Sequence, residues 1–270
     1  MAADGFAPAK INLTLHVTGQ RADGYHLLDS LVVFADVGDR VSFQEDAQPL
    51  RLKITGPGAA GVPVDDSNLV MRAARAAGLS RGLITLDKHL PAAAGIGGGS
   101  SDAAAMLRLA GHDPADGGLS LGADVPVCRI ARATRMTGIG EGLAVIDGLP
   151  ALPAVLVNPG VPVPTAAVFR RLVSKSNPAM GALPMRPGLP DLIDWIALQR
   201  NDLEAPAVSE QPVIADVLAA LALAGARLAR MSGSGATCFG LFDDAAGAAR
   251  AARDLSQAHP GWWVRATTLT

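Results

Sequence analysis

Aromatic side chains are scarce in this chain, at 4% of 270 residues, and Tyr25 is its one tyrosine. Cysteine is scarcer still, with Cys128 and Cys238 far apart in the sequence. Two such cysteines exclude a disulfide framework and a metal site built of cysteines alone. We expect both to be buried, reduced thiols of a cytoplasmic protein.

The chain also lacks a strong charge of either sign and a long apolar run. Its formal net charge of −2 favours neither nucleic acid nor an anionic membrane as a partner. Mean hydropathy is positive, at +0.28. The most apolar stretch, Val217 to Ala226, is nevertheless bounded by Asp216 and Arg227, and a spanning helix needs roughly 20 apolar residues. The N-terminal residues lack an apolar signal core, so no membrane partner is expected.

Hydrophobic periodicity predicts a mixed fold. Alternating apolar residues from Ile11 to Val17 indicate a strand, and Leu31 to Val37 and Arg40 to Gln44 have the composition of two more. Strands and helices follow one another without strict βαβ alternation, which predicts an α+β fold with helices on one face of largely antiparallel sheets. A proline-containing segment, Gly148 to Pro153, suggests a boundary between two domains, residues 1–148 and 149–270.

Four glycines and two serines precede a predicted helix: Gly95, Gly97, Gly98, Gly99, Ser100 and Ser101. Glycines let the backbone approach a ligand closely, and a helix start offers free N–H groups at the positive end of its dipole. Together they predict a phosphate site, in which either serine could cap the helix or donate to a phosphate. No Walker lysine follows and no dinucleotide fingerprint is present. The alternative is a plain glycine turn that caps a helix.

Two charged residues and a second glycine loop complete the candidate site. Asp124 lies in an apolar stretch, where an acid is a cap, an ion-pair partner or a general base. Lys10 begins an apolar strand, and is either a surface lysine or a cation that neutralises phosphoryl charge. The loop Met231 to Thr237 joins two predicted strands, and is either a hairpin turn or a second anion site.

Three segments together resemble the motifs of the GHMP kinases, a family of ATP-dependent small-molecule kinases. They are Pro8 to Leu13, Pro91 to Ser101 and Ser232 to Ala236. Further segments resemble one branch of that family: Gly19 to His26, Leu121 to Pro126, Asn158 to Thr165 and Arg200 to Glu204. The seven segments occur in the family's order and span nearly the whole chain.

The resemblance implies a two-domain GHMP kinase fold. Its N-terminal domain would be of the ribosomal-protein-S5-like type and would bind ATP, its C-terminal domain would be ferredoxin-like, and the active site would lie between them. The implied reaction uses ATP and Mg²⁺ to phosphorylate the C2 hydroxyl of cytidine-diphosphate methylerythritol, in non-mevalonate isoprenoid synthesis. No nucleic acid or membrane partner is implied, and the protein would be a monomer or a homodimer.

The resemblance also assigns the residues of phosphoryl transfer. Asp124 would orient or deprotonate the substrate hydroxyl, and Lys10 would hold Asp124 and stabilise negative charge. Asn68 and Lys88 would lie near the adenine. The ATP phosphates would be wrapped by Pro91, Ala92, Ala93, Ala94, Gly95, Ile96, Gly97, Gly98, Gly99, Ser100 and Ser101. No metal ligand is assigned.

The substrate residues follow from the same resemblance. Tyr25 and Phe169, expected in different domains, would sandwich the cytosine, with His26 reading its polar edge. Others would lie beside the substrate: Asn12, Thr165, Gly233, Ser234 and Gly235. The polar Gly-Tyr-His turn itself favours stacking for Tyr25 over core packing, whereas for Phe169, on a predicted helix, core packing is nearly as good an interpretation.

Three features depart from the family pattern, one of them a short stretch from His112 to Ser120. Ala92 to Ala94 replace residues that are often glycine in related enzymes. Asp102 would place negative charge in the first helical turn, where it repels ATP unless Mg²⁺ intervenes.

Two rival functions are considered. One rival is a kinase of the mevalonate or homoserine type, whose substrates offer no base for Tyr25 to stack on. The other is a non-catalytic ligand-binding relative, which would not need an intact Lys10 and Asp124.

Overall fold

Eleven strands and eight helices occur in residues 3–92 and 94–270, the part of the chain that the computed structural model describes. They belong to two units that interleave along the chain. Unit 1 falls within the ranges 1–10, 37–92 and 97–131, and unit 2 within 11–36, 93–96 and 132–270. Strands β1 (Ala3–Asn12) and β3 (His26–Pro49) each contribute to both units. The division at residue 148 therefore stays a prediction, because the units are not separated by one cut.

Unit 1 combines a small sheet with three helices. Strand β4 (Arg51–Thr55) pairs in parallel with β5 (Arg81–Asp87), which pairs antiparallel with the second half of β3. The helices are α1 (Leu69–Ala76), α2 (Gly98–Leu109) and α3 (Val125–Ile130). Helix α2 packs against both α1 and α3, and their apolar side chains form one buried cluster with those of β3 and β5.

Unit 2 contains two groups of paired strands. Strands β2 (His16–Gln20) and β6 (Thr134–Gly138) pair antiparallel with the first half of β3, and β7 (Gly142–Val145) pairs with β6. The second group has the order β11–β8–β10–β9, and every neighbouring pair in it is antiparallel. Its members are β8 (Leu152–Asn158), β9 (Leu228–Met231), β10 (Cys238–Leu241) and β11 (Trp263–Leu269). Leu269 of β11 pairs with Ala35 of β3.

Five helices belong to unit 2: α4 (Thr165–Arg170), α5 (Leu189–Ala197), α6 (Glu204–Glu210), α7 (Val213–Leu223) and α8 (Ala245–Ala258). Helices α7 and α8 pack on the β8–β11 strands. Asp244 caps α8 by accepting the Gly247 N–H at 2.6 Å, which offsets the unpaired donors of a helix start. Ala248, Ala251, Ala252 and Leu255 are its buried residues, at the spacing of one helical face. The predicted α+β fold is confirmed, with largely antiparallel strands.

A buried carboxylate is one of the contacts that hold residues 171–188, an irregular segment of unit 2. Asp29 of β3 is 4% exposed and accepts two hydrogen bonds from the Arg135 guanidinium, at 2.8 and 2.7 Å. The backbone N–H of Met180 donates to the same carboxylate at 2.9 Å. A bidentate guanidinium pair is among the stronger ionic contacts, so this point fixes the segment to β3 and β6. No described helix has the length and apolar character needed to cross a membrane.

The first test concerns the close approach of β1 and β3. A Cβ atom on Gly38 would lie 2.3 Å from the Ala7 carbonyl oxygen and 2.8 Å from Pro8 Cα. Because these are backbone atoms, Gly38→Ala must push the strands apart, and we expect a loss of about 1–3 kcal/mol in the free energy of unfolding. Urea denaturation measures it. Gly261→Ala, where nothing lies within 4 Å of the added atom, is the control, and equal midpoints for both variants would contradict this packing.

Candidate active site

The N-terminus of α2 presents backbone donors without acceptors. Gly97, the residue before the helix, is in the left-handed conformation with φ 63°, and no side chain caps the helix. The first intrahelical bond runs from the Ser101 N–H to the Gly97 carbonyl, at 2.8 Å. Within the described part of the chain, no acceptor reaches the N–H groups of Gly98, Gly99 and Ser100. Three donors at the positive end of a helix dipole suit a phosphate group.

Lys10 and Asp124 form an ion pair close to this helix start. Lys10 Nζ lies 2.8 Å from Asp124 Oδ1, and the lysine side chain is 5% exposed while the aspartate side chain is 32% exposed. Asp124 occupies the residue before α3, but its carboxylate makes no capping bond. A Cβ on Gly97 would lie 3.2 Å from Lys10 Cβ, so the pair and the glycine loop are neighbours. The cation–carboxylate pairing that the resemblance implied is therefore present, and the catalytic roles remain predictions.

Lys88 lies in a buried cluster of charges. Its Nζ contacts Asp39 and lies 2.8 Å from Asp102 Oδ2, with all three side chains at most 5% exposed. Burial disfavours the ammonium form of Lys88, yet Asp102 and Asp39 together hold its pKa above the ordinary value. Two of the three donors of the ammonium group are thus already used. Its expected contact with adenine stays a prediction.

Two expectations about α2 need correction. Ser101 is fully buried and its hydroxyl donates to the Pro8 carbonyl at 2.7 Å; it neither caps the helix nor faces a phosphate, because its donor is already used. Asp102 is the fifth residue of α2 and lies outside the first turn. Its carboxylate is buried and accepts a hydrogen bond from Lys88 at 2.8 Å.

Asn68, expected near the adenine, has a structural task in unit 1. Its side-chain oxygen accepts the Val70 N–H at 2.9 Å and its amide donates to the Pro63 carbonyl at 2.7 Å. The first of these bonds caps α1, the helix that packs against α2. A nucleotide contact for Asn68 stays a prediction.

The first half of the glycine loop contacts the second glycine loop within unit 2. The Thr237 N–H donates to the Ala94 carbonyl and the Ser232 hydroxyl to the Gly95 carbonyl, each at 3.1 Å. A Cβ on Gly95 would lie 2.6 Å from the Ser232 carbonyl oxygen, which requires glycine there. Three further residues of this loop have apolar side chains that cannot form hydrogen bonds: Pro91, Ala92 and Ile96. Ala93 lies outside the described residues.

The loop between β9 and β10 is a hairpin connection with polar side chains around it. Thr165 at the start of α4 shares a hydroxyl–hydroxyl bond of 2.8 Å with Ser234. Gly233 and Gly235, on either side of Ser234, both have positive φ. Asn12 donates to Ser30 at 2.8 Å, while its buried side-chain oxygen has no partner. All of these residues belong to unit 2, and their contact with a substrate stays a prediction.

Tyr25, His26 and Phe169 also lie in one unit, unit 2, not in two as expected. Tyr25 is 60% exposed. The rings of His26 and Phe169 stack with centroids 4.5 Å apart and an angle of 20° between their planes. Burial lowers the pKa of His26, with help from Lys175, so the ring is neutral at neutral pH, and its Nε2 is buried without a partner. His26 thus covers a face of Phe169, and the predicted two-sided sandwich stays a prediction.

Sequence reasoning missed two sets of residues. Asp39 lies between two segments that were each predicted as strands. The signal available in the sequence was an acid with strand-like residues on both sides of it. The Arg200 to Glu204 segment was matched to the family without a role. Asn201 donates to the Met231 and Gly233 carbonyls at 2.8 and 2.9 Å, and Glu204 accepts the Met231 N–H at 2.8 Å. This segment therefore holds the second glycine loop.

The described residues contain no cluster of three or more His, Cys, Asp or Glu side chains that could hold a metal ion. Cys128 and Cys238 are free and buried, as expected. Burial raises the pKa of the Cys128 thiol, so this neighbour of Asp124 is a poor nucleophile.

Comparisons with known proteins give matches along nearly the whole chain. Family models described as GHMP kinases N terminal domain and GHMP kinases C terminal match residues 68–131 and 185–261. The chain is 62% identical to a 4-diphosphocytidyl-2-C-methyl-D-erythritol kinase of Dinoroseobacter shibae, over 98% of this chain and 94% of that protein. It is 34% identical to a crystal structure of 4-(cytidine 5'-diphospho)-2C-methyl-D-erythritol kinase, with a TM-score of 0.80 and 99% of each chain covered. A homoserine kinase structure from Cytophaga hutchinsonii shares the fold, at 20% identity, a TM-score of 0.68 and coverage of 99% and 95%.

The second test separates the two serines of the glycine loop. Ser101→Ala removes the donor to Pro8 and leaves a buried carbonyl without its partner, so we expect about 1–3 kcal/mol less stability toward urea. Ser100→Ala, in a side chain that donates to no described residue, should leave the unfolding midpoint unchanged. A Ser101→Ala protein as stable as the wild type would show that the Pro8 bond contributes nothing.

Proposed function

The chain belongs to the GHMP kinase family of ATP-dependent small-molecule kinases, and we propose that it phosphorylates the C2 hydroxyl of 4-diphosphocytidyl-2-C-methyl-D-erythritol. The products would be the 2-phosphate and ADP, in non-mevalonate isoprenoid precursor synthesis. The observation that carries the proposal is the Lys10–Asp124 ion pair beside the unpaired N–H groups of α2. A base, a cation and a phosphate cradle are the parts that phosphoryl transfer requires.

Unit 1 supplies the groups for the transfer itself. The N–H groups of Gly98, Gly99 and Ser100 would bind ATP phosphate oxygens, since a glycine-rich helix start lets the phosphates come close to the backbone. Mg²⁺ would enter as part of the nucleotide substrate and offset phosphate charge. Lys10 would stabilise the negative charge that shifts during transfer.

Asp124 would act on the substrate hydroxyl. Its carboxylate is partly exposed and is oriented by Lys10 through one oxygen, so the other oxygen is available to the proton of the hydroxyl. As the hydroxyl oxygen attacks the γ-phosphorus, that proton passes to Asp124. The bond between the γ-phosphorus and the bridging oxygen breaks, and ADP leaves with the bonding electrons.

Unit 2 supplies groups suited to a pyrimidine nucleotide. The exposed ring of Tyr25 offers a face on which a base can stack. The adjacent His26 has a buried, unpartnered Nε2, which would pair with the polar edge of cytosine. Phe169 would contribute by stacking on the His26 ring and holding it in place. Asn12, Thr165 and Ser234 would contact the remainder of the substrate.

The third test compares three acceptor substrates. ADP formation should be fast with 4-diphosphocytidyl-2-C-methyl-D-erythritol and negligible with mevalonate or homoserine. Asp124→Asn should lower kcat by about 10²–10⁴-fold while nucleotide binding persists. Asp113→Asn, which changes a carboxylate with 86% side-chain exposure, is the matched control and should keep wild-type turnover.

Other outcomes would replace the proposal. Turnover of mevalonate or homoserine alone would identify another GHMP small-molecule kinase. Binding of ATP and the cytidine compound without any turnover would identify a non-catalytic ligand-binding protein. Near-normal kcat in Asp124→Asn would remove Asp124 as the base.

The fourth test examines the pyrimidine pocket. Tyr25→Ala should raise the KM for the cytidine substrate by about 5- to 150-fold, the equivalent of one lost stacking contact, with the ATP KM and the unfolding midpoint unchanged. Tyr25→Phe keeps the ring and should resemble the wild type. Phe169→Ala should raise the same KM and also lower stability, because its ring packs on His26 and the unit 2 core. If Tyr25→Ala and Phe169→Ala instead lose ATP affinity and keep the cytidine KM, the pocket assignment is reversed.

A further inference from the structure

The Asp39–Lys88–Asp102 cluster holds more negative than positive charge away from water. Two carboxylates contact one ammonium group, and the exposed fractions of Asp39, Lys88 and Asp102 are 0%, 4% and 2%. If every group were charged, a net negative charge would be buried, which is costly in a medium of low polarisability. Two carboxylates at one site also oppose each other's ionisation. One proton in the cluster would remove the excess charge.

The hydrogen bonds decide which carboxylate takes that proton. Asp39 Oδ1 accepts the N–H groups of His89 and Leu90, at 2.6 and 2.9 Å, and its Oδ2 contacts Lys88. Three donors therefore stabilise its charged form. Asp102 has one bond, from Lys88, and its buried Oδ1 has no donor. Burial, reinforced by Asp39 against the opposing effect of Lys88, raises the pKa of Asp102 to about 7.

The cluster lies directly behind the nucleotide-facing turn of α2. A Cβ on Gly98 would lie 3.5 Å from Lys88 Nζ and 3.9 Å from Asp39 Oδ2, and Asp102 belongs to the same helix. An anion at the N–H groups of Gly98 and Gly99 would be repelled by an ionised Asp102 and would favour its neutral form.

We propose that the Asp39–Lys88–Asp102 cluster is a proton-linked positioning site for the nucleotide: ATP binds with Asp102 neutral, and the neutral carboxyl keeps Lys88 and the start of α2 in their places. This inference rests on the proposed nucleotide site in unit 1. In this proposal the cluster does not bind a phosphate directly. Its residues act through the backbone of α2 and through the segment that follows β5.

The titratable and charged groups around Asp102 come from four elements. Asp39 belongs to β3 and Lys88 follows β5. His89 and Asp87 form an exposed pair next to Lys88. Helix α3 contributes Cys128, and Asp124, which is paired with Lys10, precedes that helix. Helix α1, which packs on α2, carries Arg72 and Arg75. Arg72 donates to the Ser120 carbonyl and Arg75 donates to Asp66. His89 is the one histidine in this set, so its substitution serves as the control below.

The fifth test measures protons taken up with the nucleotide. Full-length protein is titrated calorimetrically with a non-hydrolysable ATP analogue and Mg²⁺, just above neutral pH, in two buffers of different ionisation enthalpy. The wild type should take up a fraction of a proton more than Asp102→Asn, and the nucleotide's own protonation cancels in that comparison. Wild-type affinity should fall with rising pH, by at most about tenfold per unit, while Asp102→Asn stays flat. His89→Gln is the matched control and should behave as the wild type.

Each remaining outcome is decisive. If the wild type and Asp102→Asn bind the nucleotide with equal proton uptake, this proposal is overturned and the kinase function is unaffected. Loss of the proton uptake in His89→Gln has the same consequence. No nucleotide binding to the wild type overturns both. If Asp102→Asn does not fold, infrared difference spectra of the wild type must show a protonated carboxyl band that grows when the analogue binds, and its absence overturns the proposal.

Discussion

The unpaired N–H groups at the start of α2 are the feature on which the arrangement of unit 1 depends. They are free because Gly97 turns the chain in a left-handed conformation and no side chain caps the helix. The side chains that could have served as ligands hold the helix instead. Ser101 bonds to Pro8, and Lys88 joins Asp102 to Asp39. The backbone N–H groups are thereby left unpaired, with Lys10 and Asp124 next to them, and the proposed function uses them to bind the phosphates.

The glycine loop, the helix behind it and the α+β class were predictable from the sequence, because glycine spacing and periodicity are local signals. The roles of Ser101 and Lys88 were not, since each depends on a partner distant in sequence or on burial. Residues 31–44 were predicted as two strands, yet β3 is continuous, because Asp39 is stabilised inside it by two backbone donors and Lys88. Helix α6 was missed because Pro206 lies within it. The His26–Phe169 stack joins residues that no periodicity relates.

Unit 2 shows why the Arg200 to Glu204 segment accompanies the glycine loops. Leu15 exchanges backbone hydrogen bonds with Arg200 and Asp202, and Asp202 accepts the Val17 N–H at 2.8 Å. The same segment bonds to Met231 and Gly233 through Asn201 and Glu204. The segment therefore connects the residues that follow Asn12 to the glycine loop that contains Ser234. This explains why the Arg200 to Glu204 motif accompanies the glycine-loop motif in this chain.

The path of β3 has a consequence for synthesis of the protein on the ribosome. Residues assigned to unit 1 end at Ala131, so that unit has all its strands and helices while the remainder of the chain is still being made. The first half of β3 belongs to unit 2 and pairs with β11, at Ala35 and Leu269. During translation, Ala35 has no partner on that side until Leu269 has been synthesised. An unpaired strand edge can associate with other chains, so the interval between synthesis of Ala131 and of Leu269 is when this edge of β3 is open to such association.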